Sequence, residues 1–208
     1  MDSPTTRFYA DYAQRLTAHP EASRSAMLPM VERCLHPGDV VLDVGAGAGR
    51  DMAAMQWSGL EVFGLEPSAE MRAVALSRHP GLLGRLREAS LPALGRPFED
   101  LQPNGFDAVV CSAVLMHLAP DSLVAALSAM AALLKRPGAG SQLLLSIPDM
   151  SRDLLREDRD PDGRLFYNHP PDTIIACLQP HQLALRVHEV SDAVLQTAGT
   201  RWHTLVFG

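Results

Sequence analysis

The sequence contains a single lysine, Lys135, beside seventeen arginines. A catalytic site built on two lysines is therefore excluded, and so is a Tyr-x-x-x-Lys reductase site, because no tyrosine stands four residues before Lys135. The 18 basic and 24 acidic residues give a formal net charge of −6. This balance argues against a sequence-independent grip on nucleic acid, which needs clustered positive charge, but it leaves a local basic patch open.

Cysteine is also scarce. Cys34, Cys111 and Cys177 stand far apart, each among apolar residues. An odd count without a Cys-x-x-Cys pair predicts neither a disulfide framework nor a zinc knuckle. No group of Asp and His residues has metal-ligand spacing, so no metal site is predicted. The three thiols are expected to be free and buried, in a reducing compartment.

Long apolar runs are missing as well. The longest, residues 123–134, is too short to span a bilayer and is interrupted by Ser128. The N-terminus lacks the apolar segment of a signal peptide. With 47% hydrophobic and 20% charged residues, the composition is that of a globular protein. We therefore expect one domain, residues 1–208, in the cytoplasm.

Hydrophobic patterning predicts strands that alternate with helices. Strands are expected at residues 40–44, 61–65, 84–87, 106–112, 142–147, 183–190 and 201–207. Helices are expected at residues 7–35 (in one or two pieces around Pro20 and Pro29), 50–57, 67–79 and 172–179, and between a capping Asp121 and a basic end at Lys135 and Arg136. This order indicates an α/β fold, a doubly wound, mostly parallel sheet of seven strands that ends in an antiparallel pair.

The strongest local signal is a glycine-rich turn directly after the first buried strand, LDVGAGAGRD at residues 42–51. Glycines at alternate positions let the backbone turn off the strand and approach a ligand without interference from Cβ atoms. The turn is not the dinucleotide fingerprint Gly-x-Gly-x-x-Gly, because Arg50 occupies the position of the third glycine. It predicts a nucleotide-like ligand at the end of the strand.

An acidic residue, Glu66, ends the second strand 21 residues after Gly45. A carboxylate at this position can accept hydrogen bonds from both hydroxyls of a ribose, and it would repel a 2′-phosphate. Charge-assisted hydrogen bonds of this kind contribute about 1.5–3 kcal/mol. Glu66 is therefore the candidate ribose ligand.

Together these segments resemble the class I S-adenosylmethionine-dependent methyltransferases, over nearly the whole chain. The turn at 42–51 looks like the first motif of the family, EPSAEM at 66–71 like its acidic ribose site, and EASLP at 88–92 like its adenine-side segment. FDAVVCSAVLMHL at 106–118 is similar to the fourth strand with its active-site edge, and residues 133–147 to the Pro-Gly turn and fifth strand. The resemblance implies a Rossmann-like methyltransferase fold, S-adenosyl-L-methionine as cofactor and S-adenosyl-L-homocysteine as product.

The resemblance also implies site residues. The implied cofactor contacts are Tyr12, Asp43, Gly45, Ala46, Gly47, Gly49, Glu66, Pro67, Met71, Glu88, Ala89 and Ser112. Asp43 would reach the methionine amino group, and Glu88 with the Ala89 amide would read the adenine edge. Ser112 and Ala113 would lie beside the sulfonium. The N-terminal segment, residues 1–35, would form a lid over the methionine end, and core packing is the alternative role of its tyrosines.

Methyl transfer from a sulfonium is an in-line displacement, in which positioning can lower the barrier by about 7–11 kcal/mol. A base is needed only if the acceptor arrives protonated. His117 is the candidate base, and a packing role is its alternative. Candidate substrate contacts are Tyr9 and, in a polar insert at 148–171, Asp149, Arg164, Tyr167 and His169.

Several subclasses of the family do not fit the sequence. One lysine cannot supply the Lys-Asp-Lys-Glu tetrad of RNA 2′-O enzymes, and Ser112 and Ala113 stand where adenine-amino enzymes carry Asn/Asp-Pro-Pro-aromatic. Cys111 follows Val110 rather than the proline of a cytosine-C5 enzyme. A small-molecule acceptor is therefore favoured. A non-catalytic binding module or partner subunit stays open as an alternative, and so does an NAD-dependent oxidoreductase, against which Arg50 argues.

Overall fold

The strands form one mixed sheet in the computed structural model, which describes residues 2–18, 25, 27–192 and 199–208. They are β1 (Val40–Val44), β2 (Glu61–Leu65), β3 (Leu86–Arg87), β4 (Ala108–Ser112), β5 (Gln142–Met150), β6 (Leu185–Asp192) and β7 (Thr200–Phe207). In the order β3-β2-β1-β4-β5-β7-β6, neighbours run parallel except β7, which is antiparallel to both β5 and β6. The predicted fold class is confirmed.

The α-helices of the described residues are α1 (Ser3–Ala18), α2 (Leu28–Cys34), α3 (Arg50–Trp57), α4 (Ala69–Arg78), α5 (Pro120–Ala131) and α6 (Pro171–Leu178). The prediction for α3 is confirmed to the residue. The first helix begins at Ser3, earlier than predicted, and the predicted break at Pro20 lies outside the described residues. None of the described helices is long and apolar enough to cross a bilayer.

The central strands are buried because helices cover both faces of the sheet. Every residue of β1 is buried, and one face of the sheet packs the aromatic rings of Phe63, Phe98 and Phe106 together. The opposite face packs Met52 of α3 and Val31 of α2 against β1. Burial of each such side chain contributes about 1.5–3 kcal/mol, so the positions of the strand ends that carry the site are fixed by this core.

Both ends of α5 differ from the sequence-based prediction. The N-cap is Ala119, and Pro120 takes the first helical position, where its missing N–H costs nothing, so Asp121 is not the cap. The helix ends at Ala131, before Lys135 and Arg136. The Lys135 ammonium instead donates to Asp107 at 2.8 Å, and the same carboxylate oxygen accepts the Val40 N–H at 2.9 Å. The lone lysine thus joins the start of β1 to the turn after α5.

The predicted N-terminal lid divides into two parts with different surroundings. Helix α2 packs into the core beside α3. Helix α1 packs Ala13 and Leu16 against Met71 of α4, above the carboxyl ends of the strands. The lid therefore stays a prediction for α1 alone. The predicted insert also begins later than expected, because β5 continues to Met150.

Candidate functional site

A cleft of about 410 Å³ opens at the carboxyl ends of β1 and β4, where the strand order reverses. Crevices at this point of an α/β sheet are the usual ligand sites, and the volume lies in the usual range of about 300–1,000 Å³. The main cleft, as we call it, is lined by Phe8, Tyr9, Tyr12, Leu16, Asp43, Gly45, Ala46, Gly47, Ala48, Arg50, Asp51, Met71, Ser112, Ala113, Asp162 and Arg164. The structure thus brings α1, the glycine loop, α4, the end of β4 and the insert together.

The glycine loop leaves β1 through Gly45, whose φ is +81°. The N–H groups of Gly45 and Ala46 both donate to the Leu65 carbonyl, at 2.8 and 3.0 Å, which ties the loop to the end of β2. A Cβ at Gly45 would lie 2.3 Å from Cγ2 of Val114. Both the backbone conformation and the close approach of Val114 therefore require glycine here.

Alanine at Gly45 should destabilise the protein more than alanine at Gly84. Both glycines have similar φ values, +81° and +78°, but nothing lies within 4 Å of a Cβ at Gly84. Gly84→Ala should cost about 1–2 kcal/mol for the left-handed backbone alone. Gly45→Ala should cost about 1–3 kcal/mol more for the contact with Val114. Urea denaturation of both variants measures the difference, and equal losses would contradict this account of the loop.

Gly49 does not line the main cleft, although the sequence assigned it to the ligand. A Cβ there would lie 2.7 Å from Cδ1 of Leu82 and 3.0 Å from Cβ of Ala75. Its φ is +76° at the start of α3. The third glycine of the turn therefore serves the close packing of α3 on α4 and the chain beyond it.

Glu66 is buried behind the loop, with 7% of its surface exposed. One carboxylate oxygen accepts the Gly47 N–H at 2.9 Å, and the other accepts the Ser68 N–H at 2.8 Å. Burial raises the pKa of Glu66, and these two amides act against the increase. A carboxylate offers about four acceptor positions, so these two amides leave acceptor positions unused. Glu66 itself is not in the lining of the main cleft, so its contact with a ribose stays a prediction.

Asp43 lies at the floor of the main cleft with 4% of its surface exposed. Burial raises the pKa of this carboxyl well above its usual value, and the nearby charges of Asp51 and Glu66 add to the increase while Arg50 opposes it. A carboxylate so placed is unfavourable until a positive group comes close. The floor of the cleft is therefore suited to an ammonium group of a ligand.

A small side cavity of about 30 Å³ meets the main cleft at Gly45. It is lined by Val44, Gly45, Pro67, Ala89, Ser90, Leu91, Val114, His117 and Leu118. A space of this size holds a water molecule or two, so a planar base would enter only if lining side chains moved aside. Pro67 and Ala89 line this cavity, and their contact with an adenine stays a prediction.

The structure does not bring Glu88 to either cavity. Its side chain is 71% exposed, and its carboxylate accepts from the Arg72 guanidinium at 2.7 Å. Arg72 also donates to the backbone carbonyls of Glu66 and Pro67, at 2.6 and 2.9 Å. The ion pair therefore supports the turn that carries Glu66.

The lid of the main cleft is aromatic. The rings of Phe8 and Tyr12 stack at 5.9 Å, and the guanidinium of Arg164 lies 4.6 Å from the centre of the Phe8 ring. Arg164 is held by Asp160, which accepts at 2.6–2.7 Å. Arginine over an aromatic face contributes about 0.5–2 kcal/mol. The sequence analysis missed Phe8, although residues 8, 12 and 16 form a helical i, i+4 stripe that could have revealed it.

Two further contacts fasten the lid to the insert. The Asp2 carboxylate accepts from the Arg159 guanidinium at 2.5 Å, and the Thr5 hydroxyl accepts the Leu165 N–H at 2.8 Å. The insert therefore forms a wall of a roofed cleft together with α1, rather than a separate docking surface.

His117 lies under the lid, beside the main cleft rather than in its lining. Its Nδ1 is 2.6 Å from the Leu165 carbonyl oxygen, and its Nε2 is 2.8 Å from the Tyr9 hydroxyl. Burial lowers the pKa of His117. The direct contact with an acceptor that the sequence suggested for His117 is thus available to Tyr9 instead.

The other three substrate candidates line neither cavity. Asp149 lies on β5 and accepts from Arg201 at 3.0 Å. His169 is buried with Nε2 at 3.0 and 3.1 Å from the carbonyl oxygens of Leu115 and Leu118, where an N–H is shared between two acceptors. The backbone N–H of Tyr167 donates to the Met116 carbonyl. Tyr167 and His169 therefore hold the turn that carries His117.

No group of three potential metal ligands occurs within the described part of the chain.

Sheet order, glycine loop and buried carboxylates define the Rossmann-like fold of the class I methyltransferases. Residues 41–138 match the model of a family described as "Methyltransferase domain", and the recognition of this family from the sequence is confirmed. No curated protein matches the sequence significantly.

Solved structures resemble the whole chain. Magnesium protoporphyrin IX methyltransferase from Synechocystis PCC 6803, with bound SAM, has a TM-score of 0.60 and 18% identity, over 99% of this chain and 80% of that chain. The 1,6-didemethyltoxoflavin-N1-methyltransferase of Burkholderia thailandensis was solved with 1,6-didemethyltoxoflavin and S-adenosylhomocysteine bound. It has a TM-score of 0.65 and 18% identity, over 100% of this chain and 90% of that chain. The cyclase SpnF has a TM-score of 0.63 and 17% identity, over 87% of this chain and 79% of that chain. Similarity at this identity shows the fold alone.

Proposed function

We propose that the protein transfers the methyl group of S-adenosyl-L-methionine to a small-molecule acceptor by in-line displacement. The observation that carries the proposal is the main cleft itself. It combines a buried acidic floor at Asp43 with a glycine loop clipped by Glu66, under an aromatic lid. When bound, S-adenosyl-L-methionine supplies an electrophilic methyl group on a positively charged sulfur, and S-adenosyl-L-homocysteine is left as product.

The residues of the cleft fit this cofactor group by group. Asp43 suits the methionine ammonium, and the free acceptor positions of Glu66 suit the ribose hydroxyls. We assign the adenine to the apolar side cavity, with Pro67 and Ala89, which must widen to take it. Ser112 and Ala113, at and just after the end of β4, line the same cleft. We assign the reacting methyl group to that stretch.

The chain contributes position, charge and exclusion of water. Asp43 and Asp51 line the cleft, and the charge that Asp43 takes on when a cation binds favours a cationic cofactor over its uncharged-sulfur product. Helix α1 and the insert cover the cleft, so that an acceptor enters a site from which bulk water is largely removed. Alignment in such a site can lower the barrier by about 7–11 kcal/mol.

The two alternatives fit the structure less well. A docking module would present the insert as an exposed surface, whereas Asp162 and Arg164 of the insert line the roofed cleft. An NAD site would need a third glycine where Arg50 stands. The cyclase SpnF has a similar fold, so fold alone does not decide the reaction.

Isothermal titration calorimetry tests the cofactor. We expect S-adenosylhomocysteine to bind and NAD to give no heat of binding. The site offers the Asp43 carboxyl to the ammonium group of the first ligand, and the glycine turn lacks the dinucleotide fingerprint that NAD needs. Binding of NAD without S-adenosylhomocysteine would overturn the proposal. Incubation with methyl-labelled cofactor and a small-molecule extract of the source cells, followed by mass spectrometry, then identifies the acceptor. An absence of any labelled product would favour the binding module.

A further inference from the structure

We propose that Tyr9 and His117 form a proton relay, in which Tyr9 takes the proton of the methyl acceptor and passes its own proton to His117. The inference rests on the proposed function and narrows it. The acceptor would be a neutral O–H or N–H group, whose proton must leave as the methyl bond forms, rather than an anionic or thioether nucleophile.

The direction of the hydrogen bonds follows from what each partner can do. The Leu165 carbonyl can only accept, so His117 Nδ1 at 2.6 Å carries a hydrogen. A neutral imidazole then has its lone pair on Nε2, and the Tyr9 hydroxyl at 2.8 Å donates into it. The Leu165 carbonyl thus fixes the tautomer in which His117 can receive a proton from Tyr9.

The surroundings of His117 keep its imidazole in the neutral form that the relay needs. Burial lowers the pKa of His117, with Arg164 acting in the same sense and the Leu165 carbonyl, Asp160 and Asp2 acting against it. The imidazole is therefore neutral at neutral pH and able to accept.

Tyr9 must lose its own proton during the relay, so a nearby positive charge helps Tyr9 where it hinders protonation of His117. Burial raises the pKa of its phenol, and Glu66 and Asp160 add to the increase, while Arg164 lowers it by its charge and by a hydrogen bond. Arg164, held by Asp160, is thus the group that eases the loss of the phenol proton.

Only one member of the pair reaches the reacting space. Tyr9 lines the main cleft together with Ser112 and Ala113, whereas His117 lines the side cavity. With its hydrogen directed at His117, the phenol oxygen still has a lone pair for the hydrogen of an acceptor. Tyr9 is therefore the catalytic residue, and His117 is the group that receives the proton at the end of the relay.

The step balances without a further reactant. The X–H bond of the acceptor breaks, its proton joins the Tyr9 oxygen, and the Tyr9 O–H bond breaks as that proton joins Nε2 of His117. The electron pair left on X forms the bond to the methyl carbon, and the pair of the broken carbon–sulfur bond stays on sulfur. The imidazolium then loses its proton to solvent, which returns the pair to its starting state.

Two variants and one control test the relay in the full-length protein. Tyr9→Phe and His117→Gln should each reduce methyl transfer from labelled S-adenosylmethionine to the cell extract by about 10²–10⁴-fold, the usual contribution of a positioned proton acceptor. His117 also lines the side cavity, so titration calorimetry of His117→Gln with S-adenosylhomocysteine measures separately how much the variant changes ligand binding. His181→Gln is the control, because His181 bonds Ser128 away from the cleft.

The pH profile and the NMR spectrum distinguish a relay from structural support. The parent rate should fall on the acid side as His117 is protonated, with a midpoint below 6.5, and this limb should vanish in His117→Gln. In the ligand-free protein, ¹⁵N NMR should find the hydrogen on Nδ1 and a pKa of His117 below 6.5.

Three results are decisive against the relay. A hydrogen on Nε2 of His117, or an active Tyr9→Phe variant with the parent's rate and pH profile, overturns it and leaves the proposed function intact. A parent protein that transfers no methyl group to any component of the extract overturns both.

Discussion

Glu66→Ala should weaken the binding of S-adenosylhomocysteine by about tenfold to a hundredfold. The variant loses the acceptor positions offered to the ribose, each charge-assisted bond being worth about 1.5–3 kcal/mol. It also releases the Gly47 N–H that the carboxylate now holds at 2.9 Å, so the loop beneath the ligand loses its clip. Titration calorimetry at one pH and salt concentration measures the change.

Glu88→Ala is the matched control for this variant. Both residues are glutamates near strand ends on the cofactor side, and the family resemblance assigned a ligand contact to each. Glu88 is exposed and paired with Arg72, and exposed ion pairs contribute about 0–1 kcal/mol. Its loss should change the affinity less than about twofold. An equal effect of both replacements, or a larger one for Glu88, would contradict the assignment of the ribose to Glu66.

The sequence predicted the strand ends and the loop because their signals are local. The run at residues 40–44 is apolar except for Asp43, and the glycines follow it directly, so neither depends on distant partners. The strand and the turn were therefore located from the sequence alone.

The parts that the sequence missed depend on contacts between distant segments. Gly49 looked like a ligand residue because the turn alone cannot reveal Leu82 and Ala75 packed against it. Lys135 looked like a helix-end charge, since its partner Asp107 is 28 residues earlier. Periodicity carries no information on which pair of buried or half-buried charges will meet.

The relay geometry is the clearest case. Tyr9 and His117 are 108 residues apart, and the Leu165 carbonyl that fixes the tautomer is 48 residues further on. The sequence supplied the two side chains as separate candidates, one for the lid and one for a base. Only the docking of α1 on the insert joins them.

Asp43→Asn should stabilise the ligand-free protein and weaken cofactor binding at the same time. Burial holds the folded-state pKa of this carboxyl well above its unfolded value of 3.8, and Asp51 and Glu66 add like charge. For a raised pKa, the contribution of the group to stability is complete below pH 3.8 and is lost as the pH rises through the folded-state pKa. A neutral amide of the same shape removes that loss.

We expect a gain on the order of 0.5–2 kcal/mol in the free energy of unfolding at neutral pH, the usual size of a single stabilising replacement. The gain should shrink towards zero as the pH is lowered below 3.8, where the Asp43 carboxyl is protonated in both the folded and the unfolded protein. Urea denaturation at several pH values measures it.

Asp107→Asn is the control with the opposite sign. Burial acts to raise the pKa of Asp107, but hydrogen bonds from Lys135 and from the Val40 N–H hold it below its usual value. This carboxylate therefore stabilises the fold above the unfolded pKa, and asparagine there should cost about 1 kcal/mol at neutral pH. If both replacements destabilise alike, the cost that we assign to Asp43 is wrong.

Cofactor binding should also reveal the cost of ionising the buried Asp43 carboxyl. A ligand ammonium near Asp43 favours the charged carboxylate, so the pKa falls on binding and protons are released to the buffer. Calorimetry with S-adenosylhomocysteine in buffers of different ionisation enthalpy should detect this release in the parent and a smaller one in Asp43→Asn, which should also bind at least tenfold more weakly. If the parent and Asp43→Asn bind S-adenosylhomocysteine with equal affinity, the assignment of the ligand ammonium group to Asp43 is wrong. A carboxyl that costs stability in the free protein and is relieved by its ligand belongs to the binding site rather than to the core.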